Sequence, residues 1–101
     1  MKHSYCIDGT SIRVFLFGRL TFLNKSDVQS ITHKITSNNI KICVFDLSGL
    51  QFIDSIGVGV LLIFWSEVQR SGGTMSLANA FGQVDRVLGT TRIHDLINNA
   101  L

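Results

Sequence analysis

Phe52-Ile53-Asp54-Ser55-Ile56-Gly57-Val58-Gly59-Val60-Leu61-Leu62 is the stretch whose conformation decides the fold of this chain. Apolar side chains continue from it at helical spacing to Val68, so it reads as a strand, a short turn and a helix whose first turn carries a hydroxyl. Asp and Ser favour helix starts because their oxygens accept hydrogen bonds from N–H groups that the first turn leaves unpaired. Gly57 and Gly59 leave that turn almost bare, which lets a partner approach the backbone closely. On the residues alone, Ser55 is either a plain N-cap or a functional hydroxyl. Asp54 is either a turn or capping carboxylate or a group that orients Ser55.

Upstream, Ile40 to Leu47 is rich in β-branched residues and mostly apolar on both faces, the pattern of a buried parallel strand. Ser48-Gly49 is a turn signal expected to end it, with Gly49 in a loop and Leu50-Gln51 leading into the key stretch. Nearer the N-terminus, His3 to Ile7 and Ser11 to Gly18 flank Asp8-Gly9-Thr10, a strong hairpin signal. Ile12, Val14 and Leu16 alternate there with Arg13, Phe15 and Phe17, which predicts a central strand rather than a half-exposed one. A first helix follows. Asn24 is its expected N-cap, with Asp27 reaching back to it and Leu23 stapled to Val28. Val28, Ile31 and Ile35 recur at helical spacing, Lys25, Gln29, Lys34 and Ser37 are left for solvent, and the helix should end near Ser37-Asn38-Asn39.

Downstream, the helix from about Ser55 to Ser71 carries two apolar stripes. Val58, Leu61, Leu62, Trp65 and Val68 suffice to cover a sheet, with Trp65 a core residue over it. Ile56, Val60, Ile63 and Phe64 form the second stripe, either covered by another element or left as an apolar contact patch flanking Ser55. Gly72-Gly73 stops the helix. Thr74 to Ala78 is a short strand with Met75 and Leu77 on one face. Phe81, Val84 and Leu88 mark a third helix ended by Gly89, and Ile93, Leu96, Ile97 and Leu101 a last one capped by Thr90 or Thr91. The sum is an α/β sandwich: a mixed sheet of about four to five strands with helices mainly on one face.

Residues 1–101 are expected to form a single domain. Hydrophobic residues are 46% and charged ones 16%, which selects an ordered globule over a disordered chain. A net charge of +2, with no Lys/Arg cluster, argues against nucleic acid. The apolar run Ile56 to Trp65 is about ten residues where a membrane span needs about 20. With no signal-peptide segment at the N-terminus, a cytoplasmic setting is expected. Cys6 and Cys43, each in an apolar run, are expected to be buried free thiols. His3, His33 and His94 have no ligand spacing, so no metal or cofactor is assigned. Neither a dinucleotide fingerprint, a phosphate loop nor a nucleophile elbow is present, which argues against an enzyme.

Asp54-Ser55-Ile56-Gly57-Val58-Gly59, after the strand Ile42 to Leu47 and before Gly72-Gly73, resembles the STAS domain, and within it the bacterial anti-sigma factor antagonists. The likeness extends over nearly the whole chain, including Gly18 and Val87-Leu88-Gly89. The family motif is Asp-Ser-Ser/Thr-Gly-Leu/Val-Gly, whose first Ser is phosphorylated by an anti-sigma factor that is also a kinase. By position that residue is Ser55. Here Ile56 replaces the second hydroxyl, and Gly18-Arg19-Leu20-Thr21 stands where the family often has Gly-Glu-Leu-Asp. The resemblance implies a cytoplasmic partner-switching protein that binds an anti-sigma factor/serine kinase when unmodified and is blocked by phosphate on Ser55. It also implies a serine phosphatase of the PP2C type. Asp54, Ser55, Ile56, Gly57, Val58, Gly59, Val60, Ile63, Phe64 and Thr21 are the expected partner-binding residues, with self-association an open alternative. The rival is an unphosphorylated subunit of a transporter-associated complex, with the second stripe as its permanent interface.

Overall fold

The computed structural model of the chain describes residues 2–21 and 25–98. Strands β1 (Lys2–Asp8) and β2 (Ser11–Leu20) form the expected hairpin around a two-residue turn. Gly9 there holds φ +62°, the sign that a type II′ turn requires at its first central position. Helix α1 (Lys25–Ser37), β3 (Ile42–Ile53), α2 (Ser55–Arg70), β4 (Thr74–Ala78), α3 (Gly82–Thr90) and α4 (Ile93–Asn98) follow. The strands make one sheet in the order β1-β2-β3-β4. The β1/β2 pair is antiparallel, and β2/β3 and β3/β4 are parallel. Each parallel pair therefore needs a crossover, which α1 and α2 supply. The mixed α/β sandwich is as the pattern of residues predicted.

One face of the sheet is buried through Ile12, Val14, Leu16, Cys43, Phe45, Leu47, Met75 and Leu77. Against it lie Ile31 and Ile35 of α1 and Val58, Leu61, Phe64 and Val68 of α2. The Phe45 and Phe64 rings stack with centroids 4.9 Å apart. Val84, Leu88, Ile93 and Ile97 of α3 and α4 join the same core. The other face, carrying Arg13, Phe15, Phe17 and Val44, is not covered to the same degree, and Phe17 keeps 41% of its surface. So β2 is central in the sheet, yet half exposed across it, contrary to expectation. Trp65 is only half-buried, although its indole Nε1 is shut off from solvent and has no acceptor among the described residues.

The clearest departure from the sequence reading is in β3. Ser48-Gly49 does not end the strand: Gly49 pairs with Phe17, and the strand runs on to Ile53. The register against β2 shifts twice, between Phe15 and Phe17 and between Gly18 and Arg19, each time by one extra residue on β3. Asp46 makes the first shift possible. Its Oδ1 accepts from the Ser48 N–H at 2.9 Å, holding the bulged backbone. A Cβ on Gly49 would collide with the Phe17 ring (Cε1 at 2.8 Å), so only glycine lets that ring lie across the bulge.

Other boundaries also moved. Gly89 lies inside α3, whose C-cap is Thr91. The Thr91 hydroxyl donates to the Val87 carbonyl at 2.7 Å, closing α3 rather than capping α4, and Arg92 at φ +61° turns the chain between the two. Phe81, expected to mark the third helix, is its N-cap and is 53% exposed. Cys43 is buried, and burial pushes its thiol up to about 12, whereas Cys6 is exposed because β1 is an edge strand. The Asn24 cap, the Leu23 staple and Leu101 lie outside the described residues. No helix among those described is long and apolar enough to cross a membrane, and no group of three or more His, Cys, Asp or Glu there is placed to hold a metal.

Asp46 is the buried charge of the molecule's described residues, 6% exposed. Arg13 Nε and Nη2 reach its Oδ2 at 3.1 and 2.7 Å, and Asn79 Nδ2 donates to the same oxygen at 3.1 Å. Burial raises the carboxyl, but the hydrogen bonds from Ser48, Arg13 and Asn79 outweigh it and hold the group well below the usual carboxylate range. A carboxyl that binds its proton less readily in the folded chain stabilises the fold above its unfolded value, near ~3.9, and that stability drains away as pH falls towards the folded value. Asp46→Asn is expected to cost about 1.5–3 kcal/mol at pH 7, the worth of charged hydrogen bonds. Urea titrations at pH 7 and pH 3 should show the gap between variant and parent narrowing at the lower pH.

Candidate functional site

The site forms where β2 and β3 end together and α2 begins. Leu20 and Ile53 are register partners, and the Asp54 N–H points to the Leu20 carbonyl at 3.5 Å. Asp54 is extended (φ −121°, ψ −170°), and its Oδ1 accepts from the Gly57 N–H at 3.0 Å. The Val58 N–H donates to the Asp54 carbonyl at 2.9 Å. Asp54 is therefore the N-cap, and Ser55 is the first helical residue. Two adjacent residues were eligible to cap; the geometry gives the role to the carboxylate and leaves the Ser55 side chain on an exposed residue.

Gly57 faces inward, not towards a partner. A Cβ there would collide with the Leu20 carbonyl oxygen and stand 2.6 Å from Ile53 Cγ1. The missing side chain is what lets α2 sit down on the strand ends. Gly59, two residues on, has nothing within 4 Å of the place a Cβ would take.

This seating splits the predicted second stripe. Val60 and Phe64 are buried at 1% and 0%, and Gly57 and Val58 are buried with them, so these four expected contact residues belong to the core. Ile56 and Ile63 keep 51% and 41% of their surface. With Ser55 and half-buried Gly59 they occupy the outer face of α2, spaced i, i+1, i+4 and i+8 from Ser55. Thr21, half-buried, follows Leu20 at the rim. From Ile63 the surface continues into a groove of about 450 Å³ between α1 and α2, lined by Val28, Thr32, Thr36, Glu67 and Arg70.

Two supports were not foreseen. Gln83 Oε1 accepts from the Ile53 N–H at 3.0 Å and its Nε2 donates to the Ile53 carbonyl at 2.7 Å. One side-chain amide thus stands in for a missing strand beside the residue that precedes the motif. A glutamine at the start of a helix gives no sequence signal of this. Arg19, noted only as a departure from the family pattern, lies over the Phe52 ring at 4.2 Å, placing a cation at the strand end that leads into the site.

A family model for the STAS domain matches residues 4–100. No curated protein matches the sequence. Among solved structures, the chain is similar to an anti-sigma factor antagonist from Mycobacterium paratuberculosis, with a TM-score of 0.78 at 14% identity over 95% of this chain and 81% of that one. The unphosphorylated form of the anti-sigma factor antagonist SpoIIAA gives 0.71 at 22% identity, over 93% of this chain and 84% of that one. The murine Slc26a9 anion transporter gives 0.69 at 23% identity, over 82% of this chain but 14% of the transporter. At these identities the likeness is one of fold.

The two glycines give opposite expectations. Gly57→Ala should destabilise the protein by about 1–3 kcal/mol or more, because backbone carbonyl and side chain both stand in the way. Gly59→Ala should stabilise it by about 0.5–1 kcal/mol, since the methyl meets only open space in a helix interior. Thermal denaturation of both variants, side by side, checks the contrast.

Proposed function

The chain belongs to the STAS domain family, and on that premise we propose that it is an anti-sigma factor antagonist whose binding is switched off by phosphorylation of Ser55. The observation that carries this reading is the exposed first-turn Ser55 beside exposed Ile56 and Ile63, on a helix whose capping is already done by Asp54. A serine needed as a cap has its oxygen committed. This one is free to be modified without unpicking the helix start.

The chemistry suits a switch that acts at an interface. A phosphate adds about −1.5 to −2 charges at pH 7. On Ser55 it meets the positive end of the α2 dipole and first-turn N–H groups, so the domain tolerates it. The Asp54 carboxylate opposes it, and its Oδ1 is already engaged by Gly57. Little refolding is expected. The effect falls on the partner, an anti-sigma factor/serine kinase that covers Ile56, Gly59 and Ile63 and buries Ser55 with them. A phosphate there is a charge taken out of water without a guaranteed counter-charge, which costs about 3–5 kcal/mol, or more than a hundredfold in affinity. In this reading the unmodified protein sequesters the anti-sigma factor in the cytoplasm, and a PP2C-type serine phosphatase restores it. The structural likeness to a transporter's domain supports a second reading, a permanent subunit of a transporter-associated complex.

Intact-mass measurement of protein purified from its own cells, alongside Ser55→Ala, separates the two. One phosphate mass that disappears in the variant is expected, together with at least hundredfold weaker capture of the anti-sigma factor by Ser55→Glu. An unmodified protein found only inside a membrane complex supports the subunit reading instead.

A further inference from the structure

β1 is an edge of the sheet, and all of its residues but His3 are exposed. Natural sheets usually blunt such an edge with proline, a bulge or inward-pointing charge. This chain contains no proline, and the β1/β2 register runs from Lys2 to Asp8 without a shift. The charges of Lys2 and Asp8 sit only at the two ends of the strand.

The hydrogen-bonding pattern of that edge follows from the hairpin. Asp8 and Ser11 close the two-residue turn, so they form a hydrogen-bonded pair, and bonded pairs then alternate along the ladder. Asp8, Cys6, Ser4 and Lys2 direct their N–H and C=O towards β2. His3, Tyr5 and Ile7 direct theirs outward. On the same three positions lie side chains of the helix-covered side, since Tyr5 pairs with Val14 and Ile7 with Ile12. Tyr5 and Ile7 are each 38% exposed.

We infer that β1 is a self-pairing edge, and that its partner is a second copy of this chain bound antiparallel about a two-fold axis through Tyr5. That register sets His3 opposite Ile7 and Tyr5 opposite Tyr5, all outward-directed, and gives about six reciprocal backbone bonds. It sets Lys2 opposite Asp8 at both ends, so the strand's charges pair with their opposites. Ser4 meets Cys6 in between. A two-fold axis perpendicular to the sheet keeps both helix layers on one side, and a shift of one residue would set inward-directed groups against outward-directed ones. No other register satisfies every outward group and both terminal charges. The contact is isologous and closes on itself, so it ends in a dimer rather than a fibre. It uses none of the outer face of α2 and stands independently of the proposed switch.

Sedimentation velocity of the full chain from micromolar to submillimolar concentration tests this. The average mass should rise towards twice that of the monomer. Lys2→Glu should weaken association about tenfold by setting like charges opposite each other, and adding Asp8→Lys should restore it. Tyr5→Pro removes an N–H that no β2 residue uses and should abolish association while circular dichroism and melting stay close to the parent's. A register-specific readout is Ser4→Cys oxidised with diamide: a covalent dimer in which the new thiol is joined to Cys6 of the second copy, mapped by peptide mass. A chain that stays monomeric throughout, or a cross-link joining Cys6 to Cys6 alone, overturns the inference.

Discussion

The structure depends on one close contact, the approach of α2 at Gly57 to the carbonyl of Leu20. Any side chain there would be driven into backbone. Once that approach is fixed, the rotation of α2 about its own axis is fixed too. Val58, Leu61, Phe64 and Val68 go down onto the sheet, with Val60 buried beside them. Ser55, Ile56, Gly59 and Ile63 are left on the outside because nothing remains to cover them. The exposed surface of the site is thus a by-product of core packing, and its composition is set by what the contact at Gly57 cannot bury.

The second requirement is that β3 reach far enough to deliver Asp54 to the end of β2. β4 accompanies β3 only to the pair Asp46–Ala78. Beyond that point β3 is held by β2 on one side, and at Ile53 by the amide of Gln83 on the other. Asn98 does a similar service for β4, its Oδ1 accepting from the Leu77 N–H at 2.9 Å. Two side-chain amides thus satisfy backbone that a longer sheet would have paired. The Asp46 network and the bulge it holds let β3 take the first of its two extra residues without leaving the sheet; the second enters at the shift between Gly18 and Arg19.

Most of the fold was legible because its signals are local. The hairpin turn, the β-branched strand, the helical spacing behind Ser55 and the Gly72 stop each depend on residues close in sequence. What was not legible depends on contacts distant in sequence. Ser48-Gly49 carries a real turn signal, and only Arg13, Asn79 and Phe17, from other strands and loops, turn it into a bulge. The split of the Ile56/Val60/Ile63/Phe64 stripe could not be read from periodicity, which gives relative angles around a helix and not which angle faces the sheet. Cys6 was misplaced for a related reason: an apolar run reads the same on an edge strand as on a central one.

The half-buried Trp65 has a practical consequence. It is the single tryptophan of the chain, and it sits on the helix that presents Ser55, with its indole N–H withheld from water. An indole in that state emits from a surrounding that differs from solvent, and any shift of α2 on the sheet alters that surrounding. The protein therefore carries an intrinsic optical probe of how the helix that bears Ser55 is seated, readable without a label and without a second fluorophore of the same kind to confuse it.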